Sequence, residues 1–375
     1  MTRWVIAVVA LIGLTMSGGV GAAGAPSPSP VPLGASTTTP TGSSVVLAMG
    51  HLDSPSNTFW EAFLEPTDSA SWGLHTPPGV ASNGGLVVGS SPSGPLTVGF
   101  LVSADLKFSP VAESTDGGAH WSPGELPSPL ASAPDALAVE PTGETMAVVA
   151  GQRVLQTTGD LSAWTTLTSQ RALRSAVPSC GVLAITAVAY NAAAQPLVGV
   201  SCSHPGQVGI LAPSIGSWHD LGPSFVSGTA SVIRLVPTVA GVAGLAQVRS
   251  GRADTVVGFW GDGSSSQWSG PTSFPVPSGW RVTATATGGG AGQGLAVLLG
   301  SGSSRRVEVV AGPGSSWIML PPAPRGASGV SDVGGVIDTF VVTGSHLAVW
   351  TWTADAAGWR RAASITVPVP YGSSS

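Results

Sequence analysis

Two carboxylates facing each other across a cleft can hydrolyse a glycosidic bond, one as acid and the other as base or nucleophile. Asp53, Asp135, Glu140, Asp332 and Asp338 stand near the ends of strand-like runs and are the candidates for such a pair. The plainer role for each is a turn cap or a solvated loop residue, since short acidic side chains bond nearby backbone amides. Histidines occur at 51, 75, 120, 204, 219 and 346, with no two at metal-ligand spacing. His219 adjoins Asp220, but neighbours on a strand face opposite sides and make no natural dyad. There is no G-x-S-x-G elbow, no P-loop and no dinucleotide fingerprint. The run GGGAGQG at 288–294 reads as a hairpin turn, because no helix follows it to hold a phosphate. No catalytic, cofactor-binding or metal-binding residue is therefore assigned, and no cofactor is expected.

The two cysteines, Cys180 and Cys202, flank the runs GVLAITAVAY and QPLVGVS. In an exported chain an even, minimal count suggests one disulfide, here between neighbouring strands. Export is suggested by the N-terminus. Arg3 precedes an apolar stretch from Val5 to Met16, and Ala23-Gly24-Ala25 fits a signal-peptidase site. An uncleaved anchor is the alternative, and it is the one membrane association expected. A lipid anchor is excluded, for no cysteine lies near the cleavage site. The expected organisation is a signal peptide at 1–25, a Pro/Ser/Thr-rich tether at 26–44 and one folded domain at 45–375. The expected location is secreted, or on the extracytoplasmic cell surface.

Composition narrows the partners. Only 9% of residues are charged, against roughly 25% in an ordinary soluble domain. Net charge is −5, and Lys107 is the sole lysine, so nucleic acid has no basic surface to meet. An unidentified protein or glycan ligand is expected instead, bound by a monomer.

The elements that must position any site are short strands. Runs such as DALAVEPTG, ETMAVVAG, RVLQTTGD and WTTLTS are rich in Val, Leu and Thr and are bounded by Gly, Pro, Asp or Ser. No window sustains a helical period beyond a turn or two. A tryptophan recurs about every 48 residues, at 72, 121, 164, 218, 268, 317 and 359, which marks a repeat architecture. The expectation is all-β: a seven-bladed β-propeller of four-stranded antiparallel blades, one per tryptophan. The first repeat looks short of an inner strand. Residues near Thr366 to Pro370 are surplus, so strands from both termini are expected to close the ring. The off-period residues Trp60, Trp260, Trp280, Trp350 and Trp352 read as packing.

Residues 114–121, Ser-Thr-Asp-Gly-Gly-Ala-His-Trp, match S-x-D-x-G-x-x-W at Ser114, Asp116, Gly118 and Trp121. This resembles the Asp-box of the BNR-repeat propellers, which include sialidases, sortilin-like receptors and photosystem assembly factors. Other copies decay, as in TTGDLSAW at 157–164 and GDGSSSQW at 261–268. The resemblance implies a structural box on the blade periphery, with Asp116 in the turn and Trp121 in the core. A sialidase would also need an early arginine motif, yet no arginine lies between Arg3 and Arg153. It would need a Tyr/Glu pair, and of Tyr190 and Tyr371 the first reads as a core position. The leading reading is an exported, non-catalytic binding or scaffolding module. The alternative is a diverged, sialidase-like glycoside hydrolase or lyase on the same scaffold.

Overall fold

The computed structural model describes residues 29–39, 42–51, 54–66, 72–75, 82–90, 96–102, 110–122, 130, 134–140, 142–157, 161–224, 227–238, 240–289, 293–343 and 346–366. The fold is all-β, organised as successive antiparallel meanders. The first comprises β1 (Ser29–Thr39), β2 (Gly42–His51), β3 (Ser54–Pro66) and β4 (Gly73–Leu74). Next come β5 (Ser82–Ser90), β6 (Leu96–Val102) and β7 (Val111–Ser114). Then β8 (Pro134–Val139), β9 (Thr145–Val149), β10 (Arg153–Thr157) and β11 (Trp164–Ser169) precede the helix α1 (Gln170–Ala176). The following meander is β12 (Val182–Tyr190), β13 (Pro196–Cys202), β14 (Ile210–Ser214) and β15 (Ser217–Asp220). After it run β16 (Thr229–Thr238), β17 (Gly241–Ser250), β18 (Ala253–Gly261) and β19 (Trp268–Val276). The last two groups are β20 (Arg281–Gly289), β21 (Leu295–Ser301), β22 (Ser304–Val310) and β23 (Ile318–Met319), then β24 (Gly329–Val333), β25 (Val336–Thr343), β26 (His346–Trp352) and β27 (Arg360–Thr366).

Strand pairing within each group is antiparallel and sequential. Between groups it is brief. Thr58 meets Ser82, Ser201 meets Ser231, and Gly288–Gly289 run parallel to Asp332–Val333. The first strands of successive meanders lie side by side: β5 on β8, β8 on β12, β12 on β16 and β20 on β24. Arg234 on β16 bridges to β20 by donating to the Thr285 carbonyl at 3.2 Å. β1 then contacts both β24 and β5, joining the last meander to the first two.

The apolar core is divided in the same way. One cluster sets Met146, Val148 and Val154 against Val182, Val198 and Leu211. The next sets Leu197, Ile210 and Ala212 against Val232, Val242 and Phe259. Others set Leu245 and Trp260 against Leu295 and Val297, and Ala296 and Val307 against Val330 and Ile337. Phe340, Leu347 and Val349 of the last meander pack against Phe63 and Trp72 of the first. Strands such as β9 and β21 are buried on both faces because a neighbour covers each side, which is why they read as unbroken apolar runs.

One expectation changes. Residues 26–44 were expected as a tether, but Ser29–Thr39 form β1 and Gly42–His51 form β2. Pro30 and Pro32 lie on β1, the end strand of its sheet, which is where proline is tolerated in a ladder. The first meander thus takes its first strand from the N-terminal side. The expected contribution of Thr366 to Pro370 lies outside the described residues beyond Thr366. The signal peptide at 1–25 also lies outside them. No helix among the described residues is long and apolar enough to cross a membrane.

Cys180 and Cys202 are disulfide-bonded across the start of β12 and the end of β13. Gly209 is needed beside the bridge. A Cβ there would lie 2.4 Å from Val200 Cγ2 and 2.8 Å from Cys202 Sγ. The helix α1 opens on Ser169, whose Oγ accepts from the Ala172 amide at 3.2 Å, and buries Leu173.

Candidate functional site

The box at 114–121 folds as a closed hydrogen-bonded turn after β7. Ser114 Oγ accepts from the Gly118 amide at 2.7 Å and donates to Asp116 Oδ1 at 2.8 Å. Asp116 accepts from the His120 amide at 2.8 Å, and its Oδ2 lies 2.6 Å from His120 Nδ1. These bonds, the His120 amide first, hold the Asp116 carboxyl well below the usual carboxylate range. Gly118 sits at φ +94, and a Cβ there would press into Leu64 at 3.1 Å. Trp121 packs with Leu64 and Val88, and its Nε1 donates to the His75 carbonyl at 2.8 Å. His75 Nδ1 in turn lies 3.0 Å from the Gly118 carbonyl oxygen. Trp121 opens no fourth strand among the described residues. It sews its own turn to the end of the preceding meander.

Other periodic tryptophans repeat this tie. Trp268 donates to Leu221 O at 2.6 Å, and Trp359 donates to Pro321 O at 2.9 Å. Trp72 meets Phe340 edge-on at 5.5 Å and Trp317 meets Phe274 at 4.7 Å, each partner lying in an adjacent meander.

The sequence-nominated carboxylates separate into two kinds. Asp135 caps a turn by accepting from the Gly151 amide at 2.7 Å, and Glu140 accepts from the Thr142 amide at 2.9 Å. Asp53 lies outside the described residues. Asp332 and Asp338 are both buried and interact electrostatically. Burial pushes the Asp338 carboxyl up to about 7; the Thr351 hydroxyl opposes this, while Glu65 and Asp332 add to it. Asp332 is raised by burial as well, against a stabilising bond from the Gly335 amide at 3.0 Å. His219 is exposed while Asp220 turns inward, as strand alternation requires.

Tyr190 is buried at the end of β12, as its apolar run suggests. The neighbour that sequence could not supply is Glu144. The Tyr190 hydroxyl donates to Glu144 Oε1 at 3.2 Å and accepts from Gln156 Nε2 at 3.3 Å. Burial first, then Glu144 and Glu140, pushes the phenol above its ordinary value. The later arginines are dispersed in local bonds: Arg174 to Val182 O, Arg249 to Asp254, and Arg306 to Glu308. Burial lowers Arg234 to about 10. Among the described residues no group of His, Cys, Asp and Glu is arranged to hold a metal ion.

Two recesses between meanders were not read from the sequence. One, of about 420 Å³, is lined by Trp260, Trp268, Asp262, Gln267 and Gln293 among others. Trp260 is fixed there by donating to the Gln293 carbonyl at 2.8 Å. The other, of about 870 Å³, lies between residues 321–325 and strands β26–β27. Its signal was the alternation of His346, Ala348 and Trp350 on one face of β26, with Leu347 and Val349 on the other. Trp350 was expected to be packing and instead walls this groove. Trp352 does pack, against the cluster it shares with β20–β25.

No family model matches the chain, and no curated protein matches it. Its neighbours among solved structures are β-propellers. A protein from Lactobacillus plantarum is 11% identical, over 88% of this chain and 97% of that one, with a TM-score of 0.55. YCF48 from Cyanidioschyzon merolae is 15% identical, over 89% of this chain and 98% of that one, with a TM-score of 0.50. The Aleuria aurantia lectin, described as six-bladed, is 13% identical over 92% and 98%, with a TM-score of 0.43. At these identities the likeness concerns fold alone.

Proposed function

We propose that this chain is an exported, non-catalytic seven-bladed β-propeller of the BNR/Asp-box type, acting as a binding or scaffolding module at the cell surface or in the medium. One blade per periodic tryptophan accounts for the meanders. The cluster of Phe340 with Phe63 and Trp72 supports closure of last blade on first. The internal hydrogen bonding of Ser114, Asp116 and Gly118 supports a structural box, and the Trp121 tie supports a core role for that ring.

The observation that carries the binding reading is the pair of recesses lined by partly exposed tryptophans, Trp268 in one and Trp350 with Trp359 in the other. Rigid aromatic walls with a few polar groups are what a small-ligand or glycan site needs. The test is a screen of the secreted full-length chain against immobilised glycans and candidate surface proteins. Binding that weakens on Trp350→Ala, in a protein that still melts cooperatively, supports the reading.

The alternative, a diverged glycoside hydrolase or lyase, draws on Asp338 with Asp332 and Glu65, and on Tyr190 with Glu144. Turnover of a glycoside that disappears on Asp338→Asn or Tyr190→Phe would replace the binding reading.

A further inference from the structure

The groove between residues 321–325 and the β26–β27 hairpin concentrates positive charge. Two guanidinium groups, Arg325 and Arg361, line it, and its lining includes no carboxylate. This is unusual for a chain of net charge −5 that carries so few cations. The strand register builds the floor. Trp350 pairs with Arg361 and Ala348 pairs with Ser364, so ring, guanidinium and hydroxyl share one surface. Two hydrogen bonds fix the shape in advance. Trp359 Nε1 donates to Pro321 O at 2.9 Å, holding the far wall to the hairpin. Arg361 Nη2 donates to Ser364 Oγ at 2.7 Å, orienting the guanidinium.

We infer that this groove is a binding site for a carboxylated saccharide, a sugar ring bearing an acid group. The inference rests on the binding-module reading above and gives it a ligand class. A guanidinium is a planar, forked donor that matches a carboxylate, and Arg325 and Arg361 present two of them. Trp350 and Trp359 line the groove, and indole rings offer apolar surface against which the C–H face of a pyranose can stack. The volume of about 870 Å³ accommodates a short oligosaccharide. An acidic peptide fits less well. Pro321, Pro322 and Pro324 form the opposite wall, and proline has no N–H to pair with a peptide backbone. Recognition must therefore come from side chains, through rings and charges.

The experiment is calorimetric titration of the full-length secreted protein with a short oligomer of galacturonic acid. Its methyl ester, the neutral galactose oligomer and an oligoglutamate peptide are the comparison ligands. The parent protein is expected to bind the uronate at least about tenfold more tightly than the ester or the neutral sugar, the loss of one charge-assisted contact. The double variant Arg325→Gln/Arg361→Gln, both at exposed positions, is expected to lose at least about tenfold while keeping its melting temperature. Trp350→Phe, which keeps a ring, is expected to lose less than Trp350→Ala.

Uronate binding that is unchanged in the double arginine variant overturns the site assignment but leaves the binding-module reading in place. Preference for oligoglutamate over the uronate overturns the ligand class. Failure of the parent protein to bind the uronate up to about 10 mM, beyond the weakest useful affinity, overturns the inference. The broader reading then falls only if the glycan and protein screen is also empty.

Discussion

The indole N–H of Trp121 donates to the backbone carbonyl of His75 at 2.8 Å, across the boundary between two meanders. The bond closes a loop of contacts, because His75 Nδ1 lies 3.0 Å from the carbonyl oxygen of Gly118 in the same box. The box is thereby both a turn and a clasp. It shapes the chain after β7 and fastens it to the segment after β4.

Trp121→Ala should destabilise the protein by about 2–3 kcal/mol, below the value for a fully buried tryptophan because the ring is half-buried. Trp121→Phe should lose about 1 kcal/mol, chiefly the hydrogen bond. Urea unfolding measures both. A Trp121→Ala protein of parental stability with impaired ligand binding would reverse the structural assignment.

Stability should rise on mild acidification from about pH 8 to 5. Asp338, raised to about 7, and Asp220, raised to about 6, are both favoured in their protonated forms by burial in the fold. Their contribution is fully present below the unfolded carboxylate value and is lost as pH rises through the folded ones. Asp338→Asn keeps an acceptor for the Thr351 hydroxyl, which donates at 2.6 Å. That variant should melt higher than the parent at pH 8 and show a flatter pH profile. A parental profile in Asp338→Asn would remove Asp338 as the cause.

The Cys180–Cys202 bond spans a sequence separation of 22. Replacing both cysteines by serine should cost about 3 kcal/mol in the chain-entropy model. Non-reducing peptide mapping of the purified protein should recover the cross-linked pair, and two alkylatable thiols would refute it.

No sialoside should be hydrolysed. Among the described residues Tyr190 does meet a glutamate, Glu144, but the phenol is buried at 2% exposure, out of reach of a substrate, and burial is the first cause that raises it. Release of a fluorescent aglycone should match the buffer blank between about pH 4 and 8. Turnover abolished by Tyr190→Phe would contradict this.

The sequence by itself determined the strands and their spacing. DALAV, TMAVV, RVLQT and WTTLTS became β8 to β11 because period, composition and turn residues are local properties. It also determined the disulfide, since only two cysteines were available. It misplaced the N-terminal segment: a Pro/Ser/Thr composition offers little to bury, yet an end strand needs only a partner's backbone. Proximity across meanders was decided by the tertiary structure alone. Glu144 lies 46 residues from Tyr190, and Pro321 lies 38 from Trp359. Arg325 and Arg361 share a groove only because the 321–325 segment lies against the β26–β27 hairpin, where Trp359 bonds the Pro321 carbonyl. Alternation along β26 says which residues share a side; the packing of the neighbouring meander decides what that side meets.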